Sequence, residues 1–577
     1  MGTPLEPTPT APERSTRPAN FASIAEALDF AAEQPTGINL YSLRGELVEV
    51  LPYARLKEDS AALAALFLSR GLVPGDRVAL AAESDGGFLR AFFACQYAGL
   101  VPAPVPLPAP FGGKDAYVAH LGRMLTSSAA RAALAPAALA EWFADAAEGL
   151  QLEVAGSWDS LLAEALPSRL SSRAVGGFDP QGLCYLQFSS GSTRFPLGVA
   201  VTHSALMANI QAIGAEGLQV APDDRAVSWL PLYHDMGLIG MLLASIAFQC
   251  SIDLLPTGAF VRRPGLWLEL ISKRRGTISY APTFGYDLAA RRGPPAGKDD
   301  LDLSCWRIAG LGGDMIRPEP LRAFAGAFET AGFDPAAFLA SYGMAEATLA
   351  LTLSGPRAGL RTDVADIDRL EREGVAAAPS SRDARTREFA LCGTPLAGHK
   401  IEIRDEAGRT LGERGLGRIF AWGPSLMQTY FGQPEETAKV LSADGWLDTG
   451  DIGYRLGHEI VITGRAKDLM IVNGRNVWPQ DLEWTAEKEI DCLRSGDVAV
   501  FSIHHGGEER VVALVQCRSA EEETREAIRT QVANLFRVRH GLQADVTLTP
   551  PHSLPQTSSG KLSRSRAKAL FLAGAFA

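Results

Sequence analysis

Six short stretches of this chain hold residues suited to phosphate and carboxylate chemistry. Ser189 to His203 reads SSGSTRFPLGVAVTH, a hydroxyl-rich loop after GLCYLQF (182–188), which predicts a strand. Backbone N–H groups in a tight Gly/Ser loop form a nest for an anion, and Ser and Thr hydroxyls add donors. Such loops usually carry a lysine near their end, and here Leu197 stands in its place. WLPLYHDMGLIG (229–240) sets Tyr233, His234 and Asp235 ahead of a glycine and an apolar run. ASYGMAEATLA (340–350) puts Glu346 in a turn of small residues, where a carboxylate could hold Mg²⁺ through one oxygen while phosphate and water supply the other ligands. WLDTGDIGY (446–454) offers Asp451, suited to accept both hydroxyls of a ribose. GRAKDLMIVNGRNVWP (464–479) contributes Arg465 and Lys467, and LPQTSSGKLSRSRAK (554–568) contributes Lys561. Each stretch alone reads as readily as solvated surface. The ordered set is what calls for one cleft.

The elements that must position these residues follow from pattern. Apolar runs such as RVALAA (77–82) and ISYAP (278–282) predict strands buried on both faces, alternating with helical stretches such as DSAALAALFLSRGL (59–72). That alternation is the signature of a parallel α/β sheet. From about residue 389, short β-prone pieces (KIEIRDEAGRTLG, GRIFAWG, EIVITGR) predict a smaller β-rich part. After GRAKD (464–468) comes a compact tail with strands near 497–503 and 511–516, helices near 521–537, and a final basic helix. The expected organisation is a flexible leader over 1–19, a large domain over 20–465 and a small domain over 466–577. LVPAPVPLPAP (100–110) reads as an extended surface connection. The run MGLIGMLLASIAFQCSI between Asp235 and Asp253 is short of the ~20 residues of a membrane span and reads as a buried helix. GSWDSLL (156–162) resembles a phosphopantetheine attachment site, but it lies inside the α/β region rather than in a separate helical unit.

Bulk properties narrow the classes. At 577 residues the chain needs more than one core. A net charge of −11 and a pI near 5.5 argue against a nucleic-acid binder. Seven scattered cysteines without a C-x-x-C pair indicate a reducing compartment, and so a cytoplasmic protein with neither a disulfide framework nor a dedicated zinc site. No integral membrane association is expected.

The set YLQFSSGSTR, LPLYHDMGLIG, ASYGMAEATL, WLDTGDIGY, GRAKDLMIVNGRN and LPQTSSGKLSR resembles the acyl-adenylate-forming superfamily of acyl-CoA synthetases, adenylation domains and luciferases. Within it the likeness is to fatty acyl-AMP ligases, on SSGSTR, HDMGL, YGMAEATL and GRNVWPQDLE. The resemblance implies an α/β fold: a large N-terminal domain of parallel-rich sheets with flanking helices and a β-rich subdomain, and a small mobile α+β C-terminal domain. It assigns Ser189, Ser190, Gly191, Ser192 and Thr193 to the ATP phosphates. Gly313, Asp314 and Tyr342, with Gly343 and Met344 beside them, go to the nucleotide, Glu346 to Mg²⁺, and Asp451 with Arg465 to the ribose. Lys467 becomes the hinge, Lys561 the lysine that reaches the reacting carboxylate and α-phosphate, and His234 a border of the acyl-carboxylate pocket.

Two departures bear on function. Leu197 cannot bind phosphate, so Arg194 becomes the expected replacement cation, with its forked donor suited to phosphate oxygens. Thr283 stands where the family often has Asn. Between YGMAEATLALTL and FALCGTPLAGHKIEI lies a charged stretch (about 354–388) that reads as a surface insertion. In the fatty acyl-AMP ligase branch an insertion here accompanies loss of CoA use. The expected reaction is therefore activation of a fatty acid to acyl-AMP with release of pyrophosphate, then transfer to the phosphopantetheine thiol of an acyl carrier protein. The alternatives are an acyl-CoA synthetase using free CoA, a non-catalytic acyl-adenylate-binding regulator and an amino-acid adenylation domain. For the last, no acidic anchor for an amine is evident.

Overall fold

The computed structural model describes residues 17–108, 113–167, 179–189, 196–292, 300–382, 384–472, 474–505, 508–557 and 561–576. Nine strands form the main sheet, in the order 394–395, 350–353, 338–343, 308–311, 278–281, 225–228, 251–254, 37–41 and 47–52. Neighbours from Phe338–Gly343 across to Gly37–Tyr41 run parallel, and the outer pairings are antiparallel. Strands such as IAGL and ISYA are buried throughout, as parallel strands covered on both faces must be. A second, four-stranded parallel sheet has the order 101–105, 77–81, 130–135, 154–157. Lys400–Arg404, Gly417–Trp422, Leu447–Leu456 and Glu459–Arg465 make an antiparallel sheet. Val498–His505, Glu508–Gln516 and Ala544–Thr549 make the sheet of the tail, flanked by helices Pro479–Glu489, Glu522–His540 and Arg564–Leu572.

The chain is thus mixed α/β with a large parallel-rich sheet and added β parts. One apolar core joins residues from Ala19 to Ile460, and a separate one joins Met470 to Leu548. Among the described residues, no helix is long and apolar enough to cross a membrane.

Three expectations need correction. Residues 17–19 are not a loose leader: Ala19 is fully buried and the Arg17 backbone N–H donates to Gln249 Oε1 at 2.9 Å. The Pro-rich connection contains a buried strand, Val101–Val105, at the edge of the second sheet. Pro102 and Pro104 are tolerated there because an edge strand has one side on which no ladder donor is required. The apolar run after Asp235 is a buried helix, as expected, with an unusual winding. It winds as a π-helix over Met236–Leu243, continues as α over Ala244–Ala247, and turns into the strand Ser251–Leu254. The stretch 354–388 is not featureless surface. Thr362–Asp366 pairs antiparallel with Thr386–Ala390, and a helix spans Ile367–Glu373, capped by Asp366. Ala365, Leu370 and Ala376 pack with Phe389, Tyr454 and Trp478. Weak strand formers are held in a strand by tertiary packing, which overrides local preference.

Candidate active site

The carboxyl ends of the parallel strands, where α/β folds build their sites, open into a cavity of about 320 Å³. After Ile308–Leu311 the chain turns through Gly313, whose φ of +76° favours a residue without Cβ. Phe338–Gly343 delivers Tyr342 and Gly343 to the cavity wall. A Cβ on Gly343 would lie 1.8 Å from the Leu349 carbonyl oxygen, so that close crossing requires glycine.

Glu346 sits on a one-turn helix, Ala345–Ala347, ended by Thr348 at φ +67°, an unusual conformation for a β-branched residue. Buried polar groups hold that strain in place. The Thr348 hydroxyl donates to the Ser425 carbonyl at 2.7 Å, and the Ser425 hydroxyl donates to the Ala347 carbonyl at 3.0 Å. Asn209 spans Ala350, donating to its carbonyl at 2.8 Å and accepting from its N–H at 3.1 Å. The Glu346 carboxylate accepts from the Tyr430 hydroxyl at 2.8 Å. Burial raises its pKa, against the pull of that hydrogen bond.

Asp451 and Arg465 face each other across two antiparallel strands. Tyr342 donates its hydroxyl to Asp451 Oδ2 at 2.8 Å, and Arg465 Nε lies 3.4 Å from Oδ1. Burial pushes the Asp451 carboxyl up, with Arg465 chief among the groups opposing it. His234 Nδ1 is 2.6 Å from Asp235 Oδ1. Burial disfavours the Asp235 charge, but His234 beside it and the Met236 N–H outweigh this and hold its pKa low.

From the tail, Lys561 lines the same cavity, as does Lys467 just after Arg465. Burial lowers the Lys561 pKa, opposed first by the charge of Asp314. Ionised lysines are thus disfavoured in the cleft, and so are the ionised carboxylates Glu346 and Asp451. Each would gain from a ligand of opposite charge.

The cavity therefore brings together Ser189, His234, Gly313, Tyr342, Gly343, Met344, Glu346, Arg465, Lys467 and Lys561, with Asp451 directly behind Tyr342. Asp314 is exposed and caps the Met315 N–H rather than lining the wall. Ser190, Gly191, Ser192, Thr193 and Arg194 lie outside the described residues. Leu197 lines the cavity, so its apolar side chain faces the site. Thr283 is buried, its hydroxyl accepting from the Arg317 N–H at 3.3 Å. Sequence reasoning missed Tyr430 and the Asn209–Ser425 support. Nothing local marks them, because they meet Glu346 and its turn across large sequence separations. It also missed Arg564, which sequence does not distinguish from Arg566 and Lys568 in the same basic stretch at the start of the helix Arg564–Leu572.

Among the described residues, no group of three or more His, Cys, Asp or Glu side chains could cage a metal. Of the two carboxylates on the wall, Asp235 is paired with His234, and Glu346 fits Mg²⁺, which takes one or two protein oxygens and otherwise phosphate and water.

Residues 30–431 match the family described as AMP-binding enzyme, and the chain belongs to that family. Its fold is that of an acyl-adenylate-forming ligase. A solved fatty acyl-adenylate ligase, from work on such enzymes of E. coli and L. pneumophila, superposes with a TM-score of 0.92 at 42% identity, covering 97% of this chain and 100% of the other. A protein of Caulobacter vibrioides (strain NA1000 / CB15N), provisionally named an acyl-CoA synthetase, is 56% identical over 569 residues, 99% of this chain and 98% of its own. JamA of Moorena producens (strain JHB), a medium-chain-fatty-acid–[acyl-carrier-protein] ligase, is 31% identical over 573 residues, 96% of each chain.

Proposed function

We propose that this protein activates a fatty acid with ATP to acyl-AMP and pyrophosphate, then passes the acyl group to the phosphopantetheine thiol of a carrier protein. One observation carries the reading: a single cavity whose apolar wall (Ile213, Leu218, Leu349, Leu353) meets Glu346, Arg465 and Lys561. An alkyl chain and a triphosphate need that combination, and few other ligands do.

The chemical problem is charge. A carboxylate oxygen must attack the α-phosphorus of a polyanion while the bond to the β-phosphate oxygen breaks and pyrophosphate leaves with the electron pair. Lys561 neutralises the carboxylate and the α-phosphate as they approach, and in-line positioning supplies much of the rest. Asp451, held by Tyr342 and Arg465, accepts the ribose hydroxyls; each oxygen keeps a lone pair for this beyond its present contact. His234, oriented by Asp235, borders the acyl carboxylate. Glu346 would hold Mg²⁺, which when bound offsets phosphate charge. Rotation of the segment after Arg465 would then withdraw Lys561 for the transfer step.

The carrier protein as acceptor is supported by JamA's named activity and by the 354–388 insertion, which grips the tail. Arg475 donates to Glu371 at 2.6 Å, and Arg387 to Asp481 at 2.8 Å. Free CoA is the second reading, favoured by the name of the Caulobacter relative. A single assay separates them. Purified protein with a fatty acid, ATP and Mg²⁺ is expected to release pyrophosphate and to acylate a phosphopantetheinylated carrier, with little acyl-CoA. Efficient acyl-CoA formation would reverse the choice of acceptor, and absence of acid-dependent pyrophosphate release would remove the adenylation reading.

A further inference from the structure

We infer that Lys467, expected to act only as a hinge, is also a ligand for the nucleotide's phosphates and supplies the positive charge that Leu197 cannot. The inference rests on the adenylation reading above. Among the described residues, three lysine or arginine side chains line the cavity: Arg465, Lys467 and Lys561. Arg465 is committed to Asp451. The acidic groups of the wall are likewise engaged, Glu346 by Tyr430 and Asp235 by His234. Lys467 and Lys561 have no hydrogen-bond or ion-pair partner for their ammonium groups among the described residues. Four of the other described lysines have one: Lys57 with Asp29, Lys114 with Glu141, Lys439 with Glu436 and Lys488 with Glu319. An ammonium left without a partner inside a partly desolvated cavity is poorly placed until an anion enters.

Position selects the anion. Lys467 follows Arg465 by two residues and lines the same cavity as Glu346; burial and then the Arg465 charge lower its pKa, opposed by Asp468, Asp451 and Glu346. That places it beside the groups assigned to ribose and metal, where a nucleotide's phosphates must pass. Leu197, at the end of the phosphate loop, faces the same cavity. The lysine missing from the loop is therefore replaced from the tail side. A consequence follows for the reaction order. A cation at the hinge leaves the phosphates when the chain turns there, so pyrophosphate loses a ligand as the tail rotates.

The test compares wild type, Lys467→Gln and Lys467→Arg in three measurements: calorimetric affinity for MgATP, acid-dependent pyrophosphate release, and acyl transfer from preformed acyl-AMP to a thiol. A charge-assisted phosphate contact predicts roughly tenfold weaker MgATP binding and a similar rise in ATP KM for Lys467→Gln, with Lys467→Arg within about threefold of wild type. Unchanged MgATP affinity and pyrophosphate release in Lys467→Gln, with slowed transfer alone, would leave Lys467 a hinge and overturn the inference. If Lys467→Gln has a lowered melting temperature, Lys467→Met serves in its place under the same expectations. Wild type that binds MgATP but releases no pyrophosphate with any fatty acid refutes the adenylation reading instead, and the affinity comparison still decides the role of Lys467.

Discussion

The two sides of the cleft are built on different principles. On the body side, Glu346 and Asp451 each accept from a neutral hydroxyl, Tyr430 and Tyr342, with one ion pair, Arg465 beside Asp451, and the buried Asn209–Ser425 support behind the Glu346 turn. On the tail side, position is set by ion pairs. Arg564 makes a two-point contact with Glu483 at 2.8 and 2.6 Å and reaches Asp468 at 3.0 Å. Arg475 and Lys488 of the tail pair with Glu371 and Glu319 of the body, and the tail's Asp481 pairs with Arg387 of the insertion. Trp478 and Leu469 are the tail's apolar footholds against the insertion. A wall of hydrogen-bonded carboxylates fixes geometry. A wall of cations mounted on ion pairs has discrete contacts to exchange, which suits the tail rotation that the proposed transfer step requires.

The comparison breaks most visibly at Lys561. Its replacement by Ala is expected to reduce acid-dependent pyrophosphate release by about 10²–10³-fold, the usual cost of removing a preorganised charge from a transition state, with MgATP affinity changed far less. A normal rate would mean that the body side alone performs the chemistry. Next comes Arg564→Gln. Arg564 bridges the hinge segment, through Asp468, and the helix Pro479–Glu489, through Glu483, three residues beyond Lys561. Breaking such a pair on one side costs ~3 kcal/mol of local stability; with about half of that reaching the adenylation barrier, kcat is expected to fall roughly tenfold with ATP KM nearly unchanged. Arg564→Lys should recover part of it, because one of the two contacts survives. Equal losses in kcat and melting temperature without rescue would reduce Arg564 to a structural role.

On the body side the expected effects are smaller and of another kind. Asn209→Ala leaves the Ala350 N–H and carbonyl without partners, at ~1–3 kcal/mol. The melting temperature should drop by several degrees, while the residual rate falls only a few-fold. If Asn209→Ala lost activity as completely as Lys561→Ala while keeping its melting temperature, the contrast between the two walls would fail.

How much of this was legible in sequence follows the same division. The six stretches, rich in small residues and isolated charges, carry the family resemblance in their order, and through it His234, Glu346, Asp451 and Lys561 could be named together. The buried strands 77–81 and 278–281 were equally plain, since a strand covered on both faces must be apolar throughout. What supports the site was hidden. Tyr430 and Ser425 gain meaning only through contacts about 80 residues away. The edge strand Val101–Val105 was masked by its prolines, whose usual meaning reverses where one side needs no donor. The 354–388 stretch reads as loose surface because its strand propensity is poor; its order comes from partners such as Tyr454 and Trp478 that no local window contains.

The smallest expected effect is a titration that sharpens the tail's side of the contrast. On the helix Pro479–Glu489, burial pushes the Glu487 carboxyl up to about 8, helped by the charge of Glu483 and opposed by the Gly496 N–H and Arg317. Its neighbour Asp481 is pushed up to about 6 by burial, against Arg387. A carboxyl raised in the folded protein contributes stability that is complete below its unfolded value and is lost as pH rises through the folded value. For Glu487 that window runs from about 4.5 to about 8. Thermal melts from pH 6 to pH 9 should therefore show a decline of a few degrees in wild type that is flattened in Glu487→Gln, which keeps a neutral acceptor for Gly496. Replacing Asn209 should leave that slope untouched, because the Asn209 amide does not titrate. A slope that persists in Glu487→Gln would assign the titration to another group, Asp481 first.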